Sequence, residues 1–390
     1  MNILLLISLI LITTSIILIL LSFLMKDSYT YKLNYRDSYK FAILIPAKDE
    51  SKVIRNLLDS INKQVSNMKD TYIIVESLDD KTCEIAKEYK AKIILRKDLS
   101  KQRKGYALDE AIKEIIHKQY DFYFIFDADN ILEDGFIDEM IKTYKEGYDI
   151  GVGYRNVKNS DSLVALASGT TFIVIDWLNK IKNRLKKVIV ISGTGFYISS
   201  NVINKLDGYP FHSLTEDYEL SLYTKLNNIS TYYNDKAMFY DEQPTKLGVS
   251  IKQRTRWVKG FLEARKNQLK NNTLFKYKIG IIPYLLIILG IIVYLINCLF
   301  NIKQLIVTIL LVYLLLFIPT LFILIKDKRM NISNIDKIKT AFFNPIFLFT
   351  YLICFIKAIT TKDLKWNKIN HQEELKKIKN WLFLYFFNYF

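Results

Sequence analysis

The chain has 390 residues, of which 51% are hydrophobic and 24% charged, with a formal net charge of +16. That length holds one full-sized domain plus several membrane spans and excludes a many-domain array. The lysines flank apolar runs and no zinc-finger or RNA-recognition pattern accompanies them, so the positive balance points to a membrane surface and no nucleic acid is expected as a partner.

At the N-terminus, residues 3–24 are almost wholly apolar, long enough at about 1.5 Å of rise per residue to cross a bilayer, and residues 1–25 are read as a transmembrane helix. A cleaved signal peptide fits less well, because the apolar run is long, no positive charge precedes it and no Ala-x-Ala site follows. Lys26 and the basic residues after it place the middle of the chain in the cytosol. Cys83, Cys298 and Cys354 lie far apart with no Cys-x-x-Cys pattern, which argues against disulfides and structural zinc.

Residues 38–240 read as a soluble α/β domain. β-Branched and aromatic runs at 41–45, 72–75, 92–95 and 123–126 alternate with helical stretches at 52–67, 82–89 and 105–118. That alternation predicts right-handed crossovers and a mostly parallel sheet, whose ligands sit beyond the carboxyl ends of the strands. Acidic residues stand there repeatedly. Pro46-Ala47-Lys48-Asp49-Glu50 follows the first run, Glu76 the second and Asp127-Ala128-Asp129 the fourth. Any one of these could simply cap the next helix. Asp127 and Asp129 differ, because a buried aromatic run delivers two carboxylates to one place. They repel unless a positive charge joins them, and a hard divalent cation such as Mg or Mn, completing its shell with substrate phosphate oxygens, supplies it.

Further along, Gly193-Thr194-Gly195 and Gly208-Tyr209-Pro210 precede Thr215-Glu216-Asp217. Thr215 reads as a helix cap with acidic residues in the first turn, and a carboxylate held at a helix start is oriented as a general base must be. Residues 241–275 read as an interfacial segment containing Gln253-Arg254-Thr255-Arg256-Trp257. Its basic and aromatic residues suit either lipid anchoring or a sugar ring and phosphate oxygens. Residues 276–327 read as a transmembrane hairpin, with spans at 279–299 and 305–325 joined by a turn at Asn301-Ile302-Lys303. In 340–390, the apolar stretch 341–359 is read as interfacial or re-entrant in preference to spanning, because spanning would carry the lysine-rich 362–379 outside.

The ordered set Pro-Ala-x-x-Glu, Asp-x-Asp, Gly-Thr-Gly, Thr-Glu-Asp and Gln-Arg-x-Arg-Trp between apolar segments resembles the membrane-bound family 2 glycosyltransferases, which include cellulose, hyaluronan and poly-N-acetylglucosamine synthases. The resemblance implies a GT-A nucleotide-diphosphosugar fold, a Mg or Mn cofactor and a nucleotide-sugar donor, first of all a uridine one. It implies that Glu50, Glu76 and Lys104 lie near the nucleotide, that Asp127 lies near its ribose or phosphates, and that Asp129, with Asp127, ligates the metal. Asp217 would be the base and the product inverted, while Glu216, Gln253, Arg254, Arg256 and Trp257 would face the acceptor or the diphosphate. The chain departs from the family at Asp49, where asparagine is usual, and at Glu76, where aspartate is usual. The acceptor is expected to be a growing glycan or a lipid-linked sugar. Membrane lipids and an export or accessory protein are the further expected partners. Two other classes fit less well. A nucleotide-regulated transporter would need charged residues within its spans, and a two-metal phosphohydrolase would recruit histidine.

Overall fold

The computed structural model describes residues 6–14, 33, 36, 38–269, 286, 289–294, 296 and 302–361. The sheet begins with β1 (Phe41–Pro46), β2 (Thr71–Val75), β3 (Lys92–Leu95) and β4 (Phe122–Ile125), close to the four runs read from the sequence. They lie in the order β3-β2-β1-β4, all parallel. The intervening helices are α1 (Ile54–Asn62), α2 (Thr82–Glu88) and α3 (Lys104–Ile115). Side chains alternate between the two faces of each strand. Ile43 and Ile45 pack with Ile54, Leu57 and Ile61 of α1 on one face, and Ala42 and Leu44 pack toward Leu108 and Ile112 of α3 on the other. Full burial of each such aliphatic side chain contributes about 1.5–3 kcal/mol. The strands are thereby fixed as rigid carriers for the residues at their ends.

The second half adds β5 (Ile131–Leu132), α4 (Phe136–Lys145), β6 (Ile150–Val157), α5 (Leu163–Arg184), β7 (Phe196–Ser199), α6 (Ser200–Leu206), α7 (Glu216–Leu226) and β8 (Thr231–Asp241). The sheet continues β4-β7-β6-β8-β5, with β7 antiparallel to β4 and to β6, β6 parallel to β8, and β5 antiparallel to β8. It is therefore mixed, with four of its seven strand pairings parallel, and the mostly parallel part is the half whose alternation predicted it. The reversal of β7 has a consequence for the site. Because β7 runs against β4, the turn that precedes it stands where β4 ends, and Gly195 N–H donates to the Ile125 carbonyl at 3.0 Å. The ends of β6 and β8 reach the same edge.

Beyond the sheet lie α8 (Leu247–Leu269), α9 (Ile302–Lys326) and α10 (Asn334–Thr360). By length and composition α9 and α10 are able to cross a membrane. Leu324 of α9 and Ala341 of α10 share a small core with Leu166 and Ile173 of α5. Of the two readings of 341–359, interfacial or re-entrant, the re-entrant one is corrected, since α10 is one unbroken helix of 27 residues with no reversal. Pro345 lies inside it. The neighbouring Asn344 donates to Thr320 Oγ1 on α9 at 2.9 Å, a lateral bond of the kind that holds proline-bearing apolar helices together. The N-terminal segment is described only as helical residues 6–14. Most of the first limb of the expected hairpin and the tail 362–390 lie outside the described residues.

Candidate active site

The carboxyl edge of the sheet opens into a cleft of 2440 Å³ lined by residues from β1, β2, β6, β8, α3, α7 and α8 and from the loop after β4. At its β1–β2 side Glu50 is buried, and its backbone N–H donates to Thr82 Oγ1 at 3.0 Å. Glu76 forms ion pairs with Lys48 and, at 3.5 Å, with Arg96. Arg96 is buried and held in place by Glu110 at 2.9 Å and by the carbonyls of Asp98 at 2.9 Å and Lys101 at 2.7 Å. Glu76 is thus flanked by two cations, one from each neighbouring strand end.

Lys104, the first residue of α3, reaches into the middle of the cleft. Its Nζ lies 2.5 Å from Asp127 Oδ1, 2.6 Å from the Gly193 carbonyl and 3.8 Å from Glu216 Oε1. Three motifs far apart in sequence are joined by one ammonium group. Burial works against the charge of Lys104, but Asp127 and Glu216 outweigh it and hold its pKa above the ordinary lysine value. Gly193, at φ +81°, has its Cα turned toward Asp217, and a β-carbon there would stand 3.1 Å from Asp217 Oδ2. Burial raises the pKa of Asp217 against the pull of the Tyr218 N–H, Lys104 and Arg155, and burial raises that of Glu216 to about 7.

Helix α7 begins at Glu216, as read, but Thr215 makes no side-chain capping bond. Its hydroxyl lies instead against α8. A β-carbon on Gly260 would come within 2.6 Å of Thr215 Oγ1 and 2.7 Å of its backbone nitrogen, so glycine permits this close crossing. Gln253, Arg256 and Trp257 of α8 line the cleft. Gln253 Oε1 and Arg256 Nε are buried there with no hydrogen-bond partner among the described residues. The Trp257 ring meets the Phe172 ring edge-on at 5.7 Å. Arg254 does not join them. It is 1% exposed, its guanidinium lies over Phe347 at 3.9 Å and donates to the Phe347 carbonyl at 3.1 Å, so it fastens α8 to α10 and its placement at the diphosphate is corrected. A helix of 3.6 residues per turn puts positions two apart on opposite sides, which separates Arg254 from Arg256.

Two residues at the site escaped the sequence reading, Arg155 at the end of β6 and Asp241 at the end of β8. They form a buried ion pair at 2.5 Å. Asp241 carried the signal that marked Glu76, an acidic residue closing an extended run, but Arg155 sits in a strand with nothing local to single it out.

Among the described residues no three histidine, cysteine, aspartate or glutamate side chains cluster into a self-sufficient metal cage. Asp127 and Asp129 both line the cleft. A carboxylate pair on an open cleft fits Mg or Mn, which keeps part of its shell for water and phosphate oxygens.

A family profile described as "Glycosyltransferase like family 2" matches residues 39–260. The chain is 26% identical over 244 residues to "Probable glycosyltransferase YdaM" of Bacillus subtilis, covering 59% of this chain and 57% of that protein. It is 24% identical over 224 residues to the poly-beta-1,6-N-acetyl-D-glucosamine synthase of Staphylococcus epidermidis, covering 56% of this chain and 54% of that protein. The chain thus spans about half the length of the curated relatives it matches. Among solved structures, the mannosyltransferase PcManGT from Pyrobaculum calidifontis, in complex with GDP-Man and Mn2+, is similar with a TM-score of 0.54 at 12% identity, covering 92% of this chain and 100% of that one. With the family profile covering more than half of its length and the sheet described above beneath it, the chain belongs to the family 2-like glycosyltransferases and has their GT-A fold.

Proposed function

We propose that this protein is a membrane-associated, metal-dependent, inverting glycosyltransferase that moves a sugar from a uridine-diphosphate donor to a growing polysaccharide, with its catalytic domain facing the cytosol. The observation that carries the reading is the convergence on Lys104, which brings Asp127, Gly193 and Glu216 within one side chain's reach and Asp217 beside them. Asp127 and Asp129 would hold Mg or Mn, which when bound offsets negative charge on the diphosphate. Lys104 and Arg256 supply protein cations on the same side. Asp217, buried and held at a helix start, is suited to accept the proton of an acceptor hydroxyl as that oxygen attacks the anomeric carbon opposite the leaving nucleotide. Gln253 and Arg256 present polar atoms to a ligand, and Trp257 offers an apolar face to a sugar ring.

The uridine reading is supported by Lys48, Glu76 and Arg96. They make a donor, acceptor, donor series, complementary to the O2, N3–H and O4 edge of uracil. Guanine presents one acceptor and two donors on its corresponding edge and matches less well. Membrane association is supported by α9 and α10, and polymer synthesis by the named staphylococcal relative. The alternative acceptor is a lipid-linked sugar that receives one residue. A nucleotide-release assay on the purified protein, run over UDP-sugars and GDP-mannose with Mg or Mn and again with EDTA, tests the reading. Metal-dependent release from a UDP-sugar with a long product is expected. A short lipid-linked product would select the alternative, and no consumption of any donor would overturn the proposal.

A further inference from the structure

Asp241 ends β8 with 2% of its surface exposed, yet its carboxylate is surrounded by donors. Oδ2 accepts from Arg155 Nε at 3.0 Å, from Arg155 Nη2 at 2.5 Å and from Gln243 Nε2 at 2.6 Å, and Oδ1 accepts from Asn130 Nδ2 at 2.9 Å. Three donors crowd Oδ2 and one holds Oδ1, so the carboxylate of this buried residue is engaged by the protein at both oxygens. Its partners lead to both halves of the site. The Asn130 Oδ1 accepts from the Asp127 N–H at 3.1 Å and from the Thr194 hydroxyl, and Thr194 Oγ1 also accepts from the Asp127 N–H at 2.8 Å. On the other side Arg155 donates from Nη1 to the Ser192 carbonyl at 2.9 Å, one residue before the glycine that faces Asp217. The Arg155 guanidinium also lies 3.7 Å over the Phe172 ring, whose edge orients Trp257.

We propose that Asp241 is a positioning residue: through Asn130 and Arg155 it sets the spacing between the Asp127–Asn130 loop and the Ser192–Thr194 turn. The inference rests on the reading above, in which the first loop serves the donor and the second the base. The β4–β7 ladder ends at Ile125 and Gly195, so beyond it the two loops are joined through side chains. A buried polar hub that bonds to both can set their spacing. Misplacement of a reacting group by about 1 Å costs on the order of 100-fold in rate, which is the scale at which the hub should be felt.

The geometry allows a reversal of polarity. In Asp241→Asn the amide replaces Oδ1 and sets two N–H donors against each other at residue 130. Adding Asn130→Asp restores an acceptor there, keeps acceptors for Asp127 N–H and Thr194, and leaves the net charge unchanged. We expect Asp241→Asn to lower kcat about 10- to 100-fold with little change in donor KM, and the double variant to recover to within several-fold of the wild type. Amide hydrogen exchange should show the 127–130 and 192–195 segments deprotected in the single variant and protected again in the double one, with β1 and β2 unchanged. Wild-type kcat in Asp241→Asn, or losses in the double variant that simply multiply, would overturn the proposal. General deprotection in the single variant, reaching β1 and β2, would reduce Asp241 to a folding residue and overturn it as well. If the wild type transfers no sugar at all, the functional reading fails, and the exchange pattern still decides whether Asp241 holds the two loops.

Discussion

Lys104 and Asp127 meet with Nζ 2.5 Å from Oδ1, which puts the start of α3 against the end of β4 across 23 residues of sequence. The same ammonium lies 3.8 Å from Glu216 at the start of α7. A lysine in this position neutralises part of a crowded acidic site by pairing with Asp127 and Glu216, while Asp217 makes no ion pair with it within 4.0 Å. A proton acceptor is useful only if its lone pairs are not already committed, so the pairing of Lys104 bears directly on which acid serves as base.

Asp217→Asn removes the proposed proton acceptor and keeps the shape. Transfer should fall by about 100- to 10000-fold, the usual cost of losing a general base, while titration calorimetry should show nucleotide binding in the presence of metal close to that of the wild type. Turnover at the wild-type rate would take the base assignment away from this residue.

Asp129→Ala tests the metal reading through binding alone. In the wild type Mn should tighten nucleotide binding, and EDTA should reverse the effect. The variant is expected to bind nucleotide equally with Mn and with EDTA. A metal response of undiminished size would place the cation elsewhere in the cleft.

Arg254 and Arg256, two positions apart on α8, should separate stability from activity. Arg254→Ala loses stacking on Phe347 and Tyr351 and a bond to a helix carbonyl, and should lower stability by about 2 kcal/mol, the order of a desolvated cation–aromatic contact. Arg256→Ala should leave thermal unfolding nearly unchanged and reduce turnover. Finding the two effects exchanged would contradict the orientation of α8.

Glu216 makes the fold sensitive to pH. Burial, with Asp217 adding and Lys104 opposing, holds its carboxyl at about 7 against an ordinary 4.5. Between those values the folded chain binds the proton more tightly than the unfolded one, so this group's contribution to stability falls as pH rises from about 4.5 to 7 and is constant above. Thermal unfolding followed from pH 5 to pH 8 should therefore show a loss toward neutral pH that Glu216→Gln lacks. Identical pH profiles for the two proteins would remove Glu216 as the source.

The sequence by itself determined the local order of the catalytic half. Hydrophobic runs of strand length, separated by amphipathic stretches, place β1 to β4 and α1 to α3 nearly where the structure has them, because in a parallel α/β layer the period of side-chain burial is a property of each segment. The same periodicity put Glu50, Glu76, Asp127 and Asp129 at strand ends, and helix-start chemistry put Glu216 and Asp217 at the head of α7. Only the tertiary structure decided what lies beside what. The antiparallel insertion of β7 brings Gly193 to Asp127, the side of α8 that packs on α10 removes Arg254 from the cleft, and the closing strands deliver Arg155 and Asp241. Those relations depend on long-range strand pairing and helix rotation, which a single strand or helix does not encode. The 341–359 segment shows the same limit: α10 is one continuous helix packed against α5, α8 and α9, a relation that charge placement along the chain does not encode.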